Sequence, residues 1–176
     1  MNRFTQHMER LWKARGGIAS VEFVLILPVL TLMLFGTIEV GRLLFDFHAA
    51  SKTVRDATRY LTRIDAIALG LACPATTVNN AAAEVTNAKN LALRGTIDTS
   101  KPYLLGYWTD ANSIVVTVDC EDNSAGTYKG FYAGADWIPS ITVSATVPIP
   151  LMNGWLLGLG DTLTFTVSHE EVHFGQ

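Results

Sequence analysis

Apolar positions are crowded into one stretch near the start of the chain. Residues 18–38 read IASVEFVLILPVLTLMLFGTI, with Glu22 as the only charge. As a helix this run is about 31 Å long, close to the hydrocarbon thickness of a bilayer. Beyond Arg42 the pattern becomes amphipathic. Leu43, Phe47, Ala50, Val54, Ala57, Leu61 and Ile64 recur at alternating steps of four and three, an apolar stripe of helical period. Asp46, Lys52, Arg55, Asp56, Arg59 and Arg63 fall between them, and no proline interrupts residues 29–73. One helix is therefore expected from near Ile18 to near Ile64, first apolar all round and then one-sided.

Further on the period shortens. Residues 79–94, NNAAAEVTNAKNLALR, suit a helix capped by Asn79 or Asn80 and ended by Gly95. Residues 114–118, 141–147 and 163–167 are β-branched or alternate apolar with hydroxylic side chains, as strands do. Pro148 and Pro150 are expected to end the second strand. The fold class is α+β: a long N-terminal helix, transmembrane then amphipathic, packed on a small antiparallel sheet with an additional short helix.

Composition sharpens this picture. The 176 residues are 49% hydrophobic and 16% charged, with net charge −3. That is too apolar for a disordered chain and gives no basic excess to attract a nucleic acid. The charge is segregated, since Arg3, Arg10, Lys13 and Arg15 precede the apolar run against Glu9 alone. Such a leader stays cytoplasmic and the rest is translocated. A cleaved secretory signal would need a shorter apolar region and an A-x-A-like site, which residues 37–42 do not offer. A plain uncleaved anchor accounts for the length but not for Glu22, because a carboxylate inside a span is costly unless paired.

Arg15-Gly16-Gly17-Ile18-Ala19-Ser20-Val21-Glu22-Phe23 resembles the processing site of type IV pilin-like proteins, where a prepilin peptidase cuts after the glycine. With the long helix and residues 49–60, ASKTVRDATRY after Ala49, the chain resembles the TadE-like family, pseudopilins or minor pilins of tight-adherence (Flp-type) pili. The resemblance implies a cut between Gly17 and Ile18, and Glu22 as the fifth residue of the mature chain. Glu22 would then neutralise the new α-ammonium of Ile18 in its own or a neighbouring subunit. Implied partners are the prepilin peptidase, other pilins and minor pseudopilins, the inner-membrane assembly platform and membrane lipid, with no nucleic acid. The implied organisation is a cytoplasmic leader (1–17), a membrane-spanning half-helix (18–41) and a periplasmic or extracellular head (42–176). This places a single-pass protein in the bacterial inner membrane, with the pilus itself as a second location. Major Flp pilins stop soon after the helix; the residues beyond Ile64 favour a minor subunit with a head. The alternative is an uncleaved bitopic protein whose periplasmic domain binds a ligand or partner.

Cys73 and Cys120 are the only cysteines. In a translocated head they read as a disulfide, with two buried thiols or one shared metal as the other readings. Arg55, Arg59 and Arg63 share one helix face, either simply solvated or aimed at an acidic partner. Residues 128–137 interleave aromatics with glycine; with Tyr103, Tyr107 and Trp108 they form either a partner surface or a minor core. Residues 152–160 are apolar but too short to span a membrane. Residues 169–173 match H-E-x-x-H, which binds zinc only on a helix, whereas here it follows an alternating strand pattern. A metalloenzyme using His169 and His173 is the weakest reading. No Walker A, G-x-S-x-G or dinucleotide glycine motif appears, so neither a catalytic centre nor a cofactor is expected.

Overall fold

The computed structural model describes residues 17–152, 154, 158 and 160–174. The leader expected over residues 1–17 therefore lies outside the described residues except for Gly17, as does most of the apolar segment 152–160. The chain divides into two compact units, Met1–Gly41 and Arg42–Gln176. Helix α1, Ile18–Leu61, begins in the first and ends in the second.

Within the first unit α1 runs unbroken through Pro28. Its strongly apolar surface is exposed along its length and is long enough to cross a membrane. Thr31 and Thr37 return their hydroxyls to the carbonyls of Leu27 and Leu34, so neither polar side chain is left open in the apolar stretch.

In the second unit Ala50, Val54, Ala57 and Leu61 are fully buried, as their spacing predicts, and join one core with the inward face of the sheet. The sheet has three antiparallel strands in the order β1 (Ile114–Asp122), β2 (Trp137–Pro150) and β3 (Thr162–Val172). The fully buried inward positions are apolar: Ile114, Val116 and Val118 on β1, Ile141 to Ile149 at every second residue on β2, and Val167 on β3. This alternation buries one face and leaves the other to solvent.

Pro148 does not end β2, which runs two residues further and has Pro150 as its last residue. Ile114 pairs with Ala145, so β1 has no residue opposite the last part of β2. The Leu151 N–H bonds to Asp161 at 2.8 Å, which turns the odd-numbered backbone groups toward β3 and the even-numbered ones toward the vacant side. Both prolines lack their N–H where no partner strand would have used it.

Helix α1 stops at Leu61 rather than Ile64, its final turn tightening through Ile64 N–H to Leu61 oxygen. The Asp65 carboxylate then accepts from Ile67 N–H and starts the short helix α2, Ala66–Leu69, which Gly70 closes at φ 61°. Helix α3 spans Ala83–Arg94, beginning later than the asparagines suggest. Asn79 instead accepts from Ala81 N–H in a local turn, and Ala82 occupies the N-cap without a side-chain bond. Gly95 does end the helix, at φ 70°. Val85, Ala88, Ala92 and Leu93 carry α3 into the core.

Candidate functional site

Gly17 is exposed and meets no neighbouring atom within 4 Å of its Cα substituent position, and α1 starts at the next residue. Glu22 lies about one helical turn beyond the start of α1 at Ile18. Its carboxylate is exposed among Val21, Phe23, Val24 and Leu25, and it forms no ion pair among the described residues. Sequence placed a charge in an apolar span, and the structure gives that charge no partner within the described chain. Chemically the site offers an accessible peptide bond next to a helix start and a carboxylate one turn away.

At the beginning of the second unit Asp46 is buried and Arg42 stands one turn before it, with Nη1 3.6 Å from the carboxylate. A second guanidinium nitrogen donates to the Pro150 carbonyl, which faces the vacant edge of β2. Burial, and then the facing Asp46 carboxylate, push the Tyr107 phenol far above its usual pKa. This polar group was missed in the sequence. Its only signal was the i, i+4 spacing of opposite charges, which usually marks a solvated pair.

Cys73 and Cys120 form a disulfide with their Cα atoms 5.8 Å apart. It ties the segment after α2 to the inward side of β1, where Cys120 packs against the core.

The aromatic residues divide between two roles. Trp108 is buried with Nε1 donating to Ser113 Oγ at 2.8 Å, while Tyr103 lies under the Arg94 guanidinium at 3.8 Å and packs on the core. Phe131, by contrast, is 61% exposed and stacks edge-on with Tyr132 and Phe174. The loop that carries it is held from below by Asn123, which is buried. Its amide nitrogen donates toward the carbonyls of Tyr128, Tyr132 and Ala135, and its oxygen accepts from Tyr128 N–H at 2.8 Å. Nothing in the sequence distinguished Asn123 from an ordinary turn residue.

The H-E-x-x-H segment lies on β3 and just past it, so its histidines do not share a helical face. His169 and Glu171 point inward, 3.9 Å apart, and Glu171 is also 3.8 Å from Arg59. The His173 ring turns away to the Ile64 carbonyl. Among the described residues no group of three or more His, Cys, Asp or Glu side chains could hold a metal ion.

Comparison with curated proteins and with solved structures returns no match. A family model described as TadE-like protein matches residues 17–59, from the glycine of the candidate processing site to the last turn of α1. Over that segment, which carries Gly17, Ile18 and Glu22, the chain is similar to TadE-like proteins.

Proposed function

We propose that this chain is a minor pilin or pseudopilin of a tight-adherence, Flp-type pilus. In this reading residues 18–41 anchor it in the bacterial inner membrane and residues 42–176 form a periplasmic head that joins other pilus components for surface attachment. Prepilin peptidase removes residues 1–17, exposing an α-ammonium on Ile18. Glu22 neutralises that charge or the equivalent one of a neighbouring subunit, which offsets the cost of a carboxylate in lipid. Other pilins, minor pseudopilins and the inner-membrane assembly platform are its partners.

The observation that supports this best is a coincidence of two boundaries and one charge. The TadE-like match begins at Gly17, α1 begins at Ile18, and Glu22 is the single charge of the apolar run that follows. A signal peptide or a plain anchor requires none of these to coincide.

The experiment is co-expression with a prepilin peptidase followed by mass analysis of the N-terminus. Cleavage between Gly17 and Ile18 is the expected result. An intact leader, or a cut near Ala49, overturns the reading.

A further inference from the structure

The exposed side of α1 within the head carries Lys52, Arg55, Arg59 and Arg63. Steps of three and four keep them on one face, opposite the buried stripe of Ala50, Val54, Ala57 and Leu61. Only Arg59 has an acidic partner, Glu171; Lys52, Arg55 and Arg63 form no ion pair among the described residues. Asp56 borders the stripe but is half-buried.

The outward face of the sheet has the opposite character. Residues 102–176 contain eight carboxylates and one cation, Lys129. Asp119, Glu121 and Glu170 are exposed on the outward side. Register sets Asp119 opposite Ser140, whose hydroxyl donates to Glu170 at 2.7 Å, while Glu121 accepts from the Tyr128 hydroxyl. Ser140 and Tyr128 thus hold Glu170 and Glu121, and register places Asp119, toward one end of the face, while Thr117, Thr142 and Ser144 lie on its uncharged remainder.

We infer that the basic stripe of α1 docks on the acidic outward face of the sheet in a second copy of this chain. The inference rests on the pilus-subunit reading and names the surfaces that such a subunit would use. Complementary sign is the first support, and spacing is the second. Cations four residues apart on a helix stand about 6 Å from each other. Alternate residues of a strand, such as Asp119 and Glu121, are about 6.6 Å apart. Stripe and acidic face lie on opposite sides of the helix–sheet pair, so one copy can present each to a different neighbour. Such a contact is heterologous and propagates instead of closing into a dimer. Like charges at i, i+4 repel mildly within one head, and apposed carboxylates relieve that repulsion. An anionic lipid surface would also accept the stripe, but it leaves the acidic face without a role.

The test uses the full chain in the membrane of cells that carry the pilus system. A photo-cross-linking amino acid replaces Lys52, and a two-copy product is read through differently tagged copies. Arg55→Glu with Arg63→Glu is expected to lower that product about tenfold, as reversal of several weak exposed pairs together should. Adding Asp119→Arg and Glu121→Arg to the other copy is expected to restore it. An unchanged disulfide on non-reducing gels reports that each head has folded. A two-copy product indifferent to charge reversal, a loss that the swapped partner does not restore, or cross-links to lipid alone each overturn the proposal. The same gels report cleavage after Gly17. An uncleaved chain with a charge-dependent product refutes the pilin reading and keeps the docking surface, whereas a cleaved chain with a charge-independent product does the reverse.

Discussion

The Nε2 atom of His173 lies 2.7 Å from the carbonyl oxygen of Ile64, so the end of the sheet closes on the end of the long helix. A carbonyl only accepts, so Nε2 must carry the proton. Two backbone bonds flank this contact, from His173 N–H to Pro139 oxygen and from Phe174 N–H to Thr62 oxygen, at 2.9 and 2.8 Å. A residue that reads as half of a zinc motif is instead a buried strap.

Removing the ring should loosen that strap. His173→Ala leaves the Ile64 carbonyl without its partner, and an unsatisfied buried acceptor costs about 1–3 kcal/mol. His173→Gln retains a donor and should recover part of the loss. Denaturant unfolding of the detergent-solubilised protein measures both, and equal stability of His173→Ala and the parent would refute the strap.

Asn123 should matter more than its place in a turn suggests. Asn123→Ala deletes its contacts to three carbonyls and one N–H, for an expected loss of about 2–4 kcal/mol. Asn123→Asp still accepts from Tyr128 N–H but sets a carboxylate against the three carbonyls, so it should destabilise as much. In both variants amide exchange should quicken over residues 124–135. Protection unchanged in that loop would count against the Asn123 anchor.

The long helix, its buried stripe and the three strand centres were legible because each rests on periodicity, which acts over a few residues. The stripe from Ala50 to Leu61 is buried as its spacing requires. What escaped depends on pairing at long range. β2 runs past Pro148 to Pro150 beside a vacant edge because β1 begins only at Ile114, a fact of register that no local rule contains. Helix α1 ends early because Asp65 captures the next turn, and α3 starts late because Asn79 is used in a turn before it. The TadE-like segment that starts at Gly17 was legible as a motif, since its residues are consecutive. The meeting of Asp46 with Tyr107 and the burial of Asn123 were not, because a buried polar residue reads like a surface one until its partners from distant segments are known.

The disulfide should stabilise the head appreciably. Cys73 and Cys120 are 47 residues apart in sequence, and closing such a loop contributes about 4 kcal/mol in the chain-entropy account. Reductant should lower the unfolding midpoint of the parent protein. It should leave the Cys73→Ser, Cys120→Ser double variant unmoved at the lower value. A parent insensitive to reductant after verified thiol exposure would show that the core alone holds α2 against β1.

Tyr107 gives the fold an alkaline limit. Its phenol is held above the ordinary 10.0 by burial and by Asp46, so folding favours the protonated form. A pKa raised in the folded state stabilises fully below pH about 10 and ceases to do so as pH rises through the folded value. Tyr60, Tyr128 and Tyr132 are shifted in the same direction, Tyr60 and Tyr132 chiefly by burial and Tyr128 chiefly by its bond to Glu121. Stability should therefore fall above pH about 10, and Tyr107→Phe should flatten that fall. Ultraviolet titration of phenolate against a parallel unfolding series checks this, and an identical alkaline slope in Tyr107→Phe would refute it.

In the proposed reading, Glu22 should separate processing from assembly. It would be the fifth residue after the proposed cut, so cleavage at Gly17–Ile18 should not depend on its charge, whereas neutralisation of the new α-ammonium should. Glu22→Gln keeps the size and helix propensity of the side chain and removes only the charge. The variant should still be cleaved, still insert, and still form its disulfide, because an uncharged side chain is cheaper in lipid than a carboxylate. Surface pili should be strongly reduced, since each assembled Ile18 ammonium would then enter the apolar helix layer unpaired. Glu22→Asp retains the charge on a shorter arm and should restore part of the assembly. Counting surface pili in a deletion strain complemented with each variant, beside mass analysis of the N-terminus, reads both steps at once. Normal piliation by Glu22→Gln would show that the carboxylate in the span serves some purpose other than pairing with a processed N-terminus.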